Sequence, residues 1–259
     1  MLSAVLWDVD GTLAESEHDG HLAAFNQAFE ALSVPWRWSD AHYGELLRVA
    51  GGRERLLHDM QSQPDAPAAI PERSDLADRI HRLKNQVYAD IVAGGHLPLR
   101  DGVDELMQDC ARAGVRLGIV TTTSRSNVEA LLSAHRGPDW QSAFAAIICA
   151  EDAPIKKPNP QAYLMALAAL RLQPHQTVAM EDAPAGVAAA QAAAVPVVVT
   201  RSRYFDSDPG QGVLAAGPSL GRTEGWSPAA EPRATRIDLA QIIQWHAHRP
   251  VAARVDILA

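Results

Sequence analysis

A short apolar run, Leu2 to Trp7, leads straight into Asp8-Val9-Asp10-Gly11-Thr12-Leu13. Two carboxylates at i and i+2, at the carboxyl end of a buried strand, point the same way because strand side chains alternate. Held that close, they repel and shift each other's pKa unless a cation shares them or they divide the roles of nucleophile and acid/base. Gly11 allows a sharp backbone turn where a substrate must come close. Three more clusters carry related chemistry. Thr121 follows the apolar Leu117-Gly118-Ile119-Val120, Lys156-Lys157-Pro158 follows a stretch ending near Cys149, and Glu181-Asp182 follows Val178-Ala179-Met180. Carboxylate oxygens suit Mg²⁺, a lysine balances phosphoryl charge, and a threonine hydroxyl donates to a phosphate oxygen. Each cluster also has an ordinary structural use. The DxDG turn could be an Asx-rich loop, Lys157 a solvated charge, Thr121 to Ser124 an N-cap cluster, and Glu181-Asp182 before Pro184 a helix start. Their recurrence at successive strand ends favours the chemical use.

The elements that must position these residues follow from apolar periodicity. Leu22, Phe25, Ala28, Phe29 and Leu32 form a helical stripe that Pro35 ends. Further helices are expected at about 41–50, 53–62 and 74–93, with a Pro/Ala-rich loop from Pro64 to Pro71. From Gly102 the pattern alternates: helix 102–113 stopped by Gly114, strand 115–120, helix 125–135, strand 144–149, helix 159–171, strand 177–180, helix 184–194 and strand 195–200. Buried strands separated by helices predict an α/β fold, a doubly wound parallel sheet with its site at the carboxyl strand ends. The Gly/Pro-rich stretch Asp206 to Pro232 reads as mostly loop, and a helix is expected at about 237–248. The expected division is a catalytic core of residues 1–14 and 94–259, with 15–93 an inserted all-helical cap domain.

At 259 residues the chain is long enough for such a core with an insertion. Its formal net charge of -8 opposes general nucleic-acid binding, so affinity for an anionic ligand must come from a few local cations. Cys110 and Cys149 offer neither a disulfide framework nor zinc-ligand spacing and read as reduced core residues. No apolar stretch approaches a membrane span and no signal segment precedes the first strand. The expectation is a cytoplasmic protein, a monomer, without nucleic-acid or membrane partners.

The order DxDGTL, Thr121, Lys157-Pro158 and Glu181-Asp182 resembles the haloacid dehalogenase superfamily of phosphotransferases, over residues 1 to about 200. The resemblance implies that Asp8 is a nucleophile forming an aspartyl phosphate and Asp10 the general acid/base, a group that superfamily members attacking carbon do not need. It also implies that Thr121 and Lys157 hold the transferring phosphoryl group. Asp8, Asp10 (through its backbone carbonyl) and Asp182, with Glu181 close by, would make the Mg²⁺ site.

A finer resemblance lies in Glu15 through Asn26, Trp38 through Leu47, Gly51 through Arg55, and the run from Thr121 through Leu131. These segments are similar to the CbbY family, helical-capped sugar phosphatases associated with the Calvin cycle that hydrolyse xylulose 1,5-bisphosphate. On that resemblance Glu15, Thr122 and Asn127 join the substrate side. The chain departs from the family at Ala183, where a serine is usual, and beyond Ser207 it does not align.

A bisphosphate has a second phosphate that the metal site cannot reach, so the cap should offer cations and donors facing the crevice. Candidates are Arg53 and Arg55 beside Gly51-Gly52, with Lys84, Tyr43 and His21. The larger contribution is expected from Arg53, directly after the two glycines. Two other readings share the same residues: a phosphomutase of the β-phosphoglucomutase type, and a catalytically inactive sugar-phosphate-binding regulator.

Overall fold

The structure is a computed structural model that describes residues 1–248. Strand β1 (Ala4–Trp7) lies inside one six-stranded sheet, between β2 (Arg116–Val120) and β4 (Thr177–Glu181). Beyond β2 lies β3 (Phe144–Ile148); beyond β4 lie β5 (Val197–Thr200) and β6 (Ala215–Gly217). Every pairing is parallel. The chain builds outward from β1 through β2 to β3, then returns to place β4 on the other side. The reversal between β1 and β4 opens the crevice at which such sheets bind ligands. Register sets its level: Trp7 lies opposite both Ile119 and Met180, so Asp8, Thr121 and Glu181 emerge together.

Alternation along the strands divides the core in two. Val5 and Trp7 join Ile119, Met180 and Val198 on one face, covered by α5 (Val103–Arg112), α6 (Arg125–Arg136) and α9 (Leu239–Ala247). Ala4 and Leu6 join Val120, Ala179 and Val199 on the other, under α7 (Gln161–Leu170) and α8 (Pro184–Ala192). With both faces covered, the strands read as continuous apolar runs.

Between β1 and α5 the chain is helical. A π-helical turn, Glu17–Leu22, runs into α1 (Ala23–Ala31), followed by α2 (Asp40–Leu46), α3 (Gly52–Asp59) and α4 (Ile70–Ala93). Phe25, Phe29, Trp38, Tyr43, Leu56 and Ile80 meet in a third apolar cluster. Tyr88 and Val92, near the end of α4, pack instead into the sheet's own core. Helix α4 thus belongs to both bodies and is the stiff link between them.

One expectation needs correction. Helix α4 begins at Ile70, inside the stretch read as loop, because Pro71 occupies its first turn, where a missing N–H costs no hydrogen bond. The stretch from Asp206 to Pro232 is mostly loop, as expected, with the short strand β6 inside it. Ala-Ala-Gly has none of the β-branched or aromatic residues that mark a strand. Among the described residues, no helix is long and apolar enough to cross a membrane. Residues 249–259 lie outside the described part.

Candidate active site

Four strand ends converge as their register requires. Lys157 Nζ lies 2.7 Å from Asp8 Oδ1, 2.7 Å from Glu181 Oε1, and 2.8 Å from the Val120 carbonyl that accepts its third proton. The buried Tyr163 hydroxyl donates to the same Glu181 oxygen. Asp182 accepts from Ser202 Oγ at 2.6 Å and Thr12 Oγ1 at 3.2 Å. Gly11, at φ +80°, is required here: a Cβ on it would lie 2.0 Å from Asp182 Oδ2. The Thr121 hydroxyl accepts from the Thr123 amide at 3.2 Å, which leaves its own proton free for a ligand.

One oxygen each from Asp8, Glu181 and Asp182 lies within 4.8 Å of the others, and all three residues are buried. An all-oxygen donor set of this kind fits a hard divalent cation. Charge points the same way, since three carboxylates face one ammonium. Burial raises the Asp8 pKa to about 7, opposed by Lys157 and reinforced by Glu181. Burial and the Asp8 charge push Asp182 well above the usual carboxylate range. Lys157 is held above its ordinary value despite burial, because Asp8 and Glu181 flank it.

Asp10 departs from expectation. Its carboxylate turns away from the acidic cluster toward the helical block, where Oδ1 accepts from Ser16 Oγ at 2.5 Å and pairs with His21 Nε2 at 2.9 Å. Burial alone would raise its pKa, but His21, the Ser16 hydroxyl and Lys84 together carry it well below the usual range. In this arrangement its side chain is not part of the acidic oxygen set.

Two adjoining cavities cover the site. The smaller, about 60 Å³, reaches Asp8, Thr121, Lys157, Glu181 and Asp182. The larger, about 320 Å³, lies between the helical block and the segment Thr122 to Asn127, the loop after β2 and the first turn of α6. Asp10, Glu17, Arg55 and Thr122 line both. Buried Arg55 donates from Nη1 to Tyr43 Oη at 2.9 Å and lies 5.1 Å over the Tyr43 ring, with Glu17 Oε2 at 3.8 Å. Tyr43 donates in turn to Glu17, so it supports the cavity wall rather than lining it.

Lys84 Nζ sits 5.2 Å from the Phe25 ring and 5.3 Å from the Tyr88 ring. Burial lowers its pKa to about 8 against the opposing pull of Asp10 and Glu17. Asn127 donates to Thr123 Oγ1 at 3.0 Å, while its buried Oδ1 has no partner among the described residues. Arg53 lines the larger cavity, but Nε is bound to Asp78 at 2.5 Å and Nη2 to Ser74 at 2.7 Å.

Glu15 lines neither cavity. It faces Arg100 Nε at 3.3 Å and accepts from the Arg203 amide at 3.2 Å, and Glu17, placed by the π-helical turn, stands where Glu15 was expected. Sequence reasoning missed Glu17, His81, Phe205 and Tyr163. Tyr163 had a usable signal, being an aromatic residue in the first turn of the helix after Lys157-Pro158. Phe205 had none, because it falls between the last expected strand and the Gly/Pro-rich stretch, in no expected element.

A family model of haloacid dehalogenase-like hydrolases matches residues 2–194. The chain belongs to that class, and its parallel sheet with the acidic site at β1 accords with it. It is 40% identical over 247 residues to the plasmid CbbY protein of Cupriavidus necator, covering 95% of this chain and 97% of that one. CbbY from Rhodobacter sphaeroides in complex with phosphate matches with a TM-score of 0.77 at 37% identity, covering 85% and 95% of the two chains. A mutant CbbY from the same organism, in complex with xylulose-1,5-bisphosphate, matches with a TM-score of 0.79 at 36% identity, covering 87% and 97%. Within the class, then, the chain belongs to the CbbY family, and it is a sugar phosphatase.

Proposed function

We propose that the protein hydrolyses xylulose 1,5-bisphosphate to xylulose 5-phosphate in a Mg²⁺-dependent reaction through phosphorylated Asp8. The observation that carries this reading is the pair of adjoining cavities. One holds a nucleophile beside an acidic cluster and a lysine; the other is lined by Arg53, Arg55 and Lys84. A ligand with one phosphate in each spans them, and a related protein has been crystallised with such a sugar bisphosphate.

In this mechanism Lys157 holds Asp8 Oδ1, which leaves Oδ2 to attack phosphorus. Thr121 and Lys157 bind the phosphoryl oxygens as charge spreads over them. Asp8 and Asp182, with Glu181 beside them, would hold a Mg²⁺ ion, which would supply charge neutralisation for the transferring group. Asp10 gives a proton to the departing sugar oxygen and then takes one from the water that releases phosphate. His21, Ser16 and Lys84 keep Asp10 ionised, the state needed for the second task. A bound phosphate dianion raises its proton affinity for the first. Residues 15–93 serve as the cap that closes over the substrate, and residues 1–14 and 94 onward as the catalytic core.

The test is a panel of mono- and bisphosphates of ketopentoses and hexoses, assayed for free phosphate with wild type and Asp8→Asn. Wild type should prefer the ketopentose bisphosphate, and the variant should fold but not turn over. Free phosphate from the variant at near wild-type rates would remove Asp8 from its role. An isomerised sugar phosphate without phosphate release would make the protein a mutase.

A further inference from the structure

One imidazole in the larger cavity has no assigned work. His81 lies on α4 midway between Asp78 and Lys84, three residues from each, so it neighbours both on the helix surface. It lines the larger cavity but not the smaller one that contains Asp8. Its ring makes no hydrogen bond among the described residues. Nε2 lies 3.3 Å from the point a Cβ on Gly52 would occupy, which sets the ring against the start of α3. Burial lowers its pKa to about 4, helped by Lys84, His21 and Arg53, so it stays uncharged at neutral pH.

We propose that His81 is a specificity residue of this phosphatase, donating a hydrogen bond to the phosphate of the sugar bisphosphate that is remote from Asp8. The proposal rests on the bisphosphate reading above. A free ring donor beside Arg53, Arg55 and Lys84 has one obvious complement, an anion. Among the described residues the ring makes no hydrogen bond to the acidic residues that line this cavity, Asp10, Glu17, Glu54 and Glu151; Asp10 pairs instead with His21, and Glu17 accepts from Tyr43. A neutral imidazole also adds a donor without adding another cation to a wall that already carries Arg53, Arg55, Lys84 and Lys156. Its position excludes a role at the reacting phosphate, which belongs to the smaller cavity.

The experiment compares wild type, His81→Leu and His81→Gln on xylulose 1,5-bisphosphate and on p-nitrophenyl phosphate, which has no second phosphate. His81→Leu should raise KM for the bisphosphate about tenfold with kcat little changed. The aryl phosphate should change by less than about twofold, and His81→Gln, which keeps a donor, should recover most of the loss. Equal effects on both substrates, or an unchanged bisphosphate KM in His81→Leu, would overturn the assignment while leaving the bisphosphate reading intact. A wild type with no preference for the bisphosphate would overturn that reading and this inference with it.

Discussion

At Asp10 the governing quantity is where a proton resides. The carboxylate is held by Ser16 and His21 and is no part of the acidic oxygen cluster, so proton transfer and metal binding are separable functions. Asp10→Asn should therefore lower kcat by about 10²–10⁴, the usual worth of a positioned acid/base. The Mg²⁺ concentration giving half-maximal rate should move little. A titration of rate against Mg²⁺ with both proteins decides the matter: a loss seen only as weaker metal activation would contradict the assignment. Tyr163 shows the opposite situation, a residue that touches no expected reacting atom yet fixes one that does. Its hydroxyl and Lys157 share one oxygen of Glu181, so the phenol steadies the carboxylate against which the lysine is set.

Helix α3 delivers two arginines to the larger cavity with different mechanical support. Adjacency to Gly51-Gly52 made Arg53 the expected anchor, but its guanidinium is engaged by Asp78 and Ser74 and its side chain is 36% exposed. Arg55 is buried on the Tyr43 ring and lines both cavities, so a contact from it is better shielded and better oriented. A charge-assisted hydrogen bond is worth about 1.5–3 kcal/mol. Arg55→Ala should therefore cut kcat/KM for a ketopentose bisphosphate roughly ten- to hundred-fold, more than Arg53→Ala does. Activity on an aryl phosphate serves as the internal control. Equal losses on both substrates would reduce Arg55 to a shaping residue of the helical block.

The contrast between these two arginines also marks the limit of what the sequence discloses. Strand-end motifs were legible because a two-residue period and parallel register leave Asp8, Thr121 and Glu181 little freedom. Helix-borne residues were less so, since which of two neighbours turns inward depends on partners elsewhere, such as Asp78 or Tyr43. Glu15 and Glu17 were exchanged for the same kind of reason. They sit at a π-helical turn, whose hydrogen-bond spacing no apolar stripe announces. Strand β6 was hidden because Ala-Ala-Gly acquires strand geometry from its neighbour β5 rather than from its own preference.

For the molecule as a whole, the acidic cluster couples folding, pH and metal. Asp8 has its pKa raised to about 7 and Asp182 is raised as well, so the folded protein binds more protons than the unfolded chain above the ordinary carboxylate range. Such groups cost stability as they ionise, and for Asp8 the cost grows as pH rises toward 7 and levels off above it. A divalent cation among them offsets that cost but competes with protons when the pH is low. The Mg²⁺-dependent gain in melting temperature should thus be small at about pH 5, rise through pH 7 and level off once both carboxylates are ionised. An ion at about a hundred times its Kd stabilises by about 2.7 kcal/mol. At about 2–4 °C per kcal/mol for a chain of this size, the plateau gain should be about 5–10 °C. Other groups with shifted pKa values, such as His81 in the helical block, change the absolute melting curve but cancel from the difference with and without metal. Melting curves at matched ionic strength, with Mg²⁺ and with a chelator, give that difference directly. A gain independent of pH would mean that the ion binds elsewhere, and Asp8 and Asp182 would then need another explanation for their shared burial.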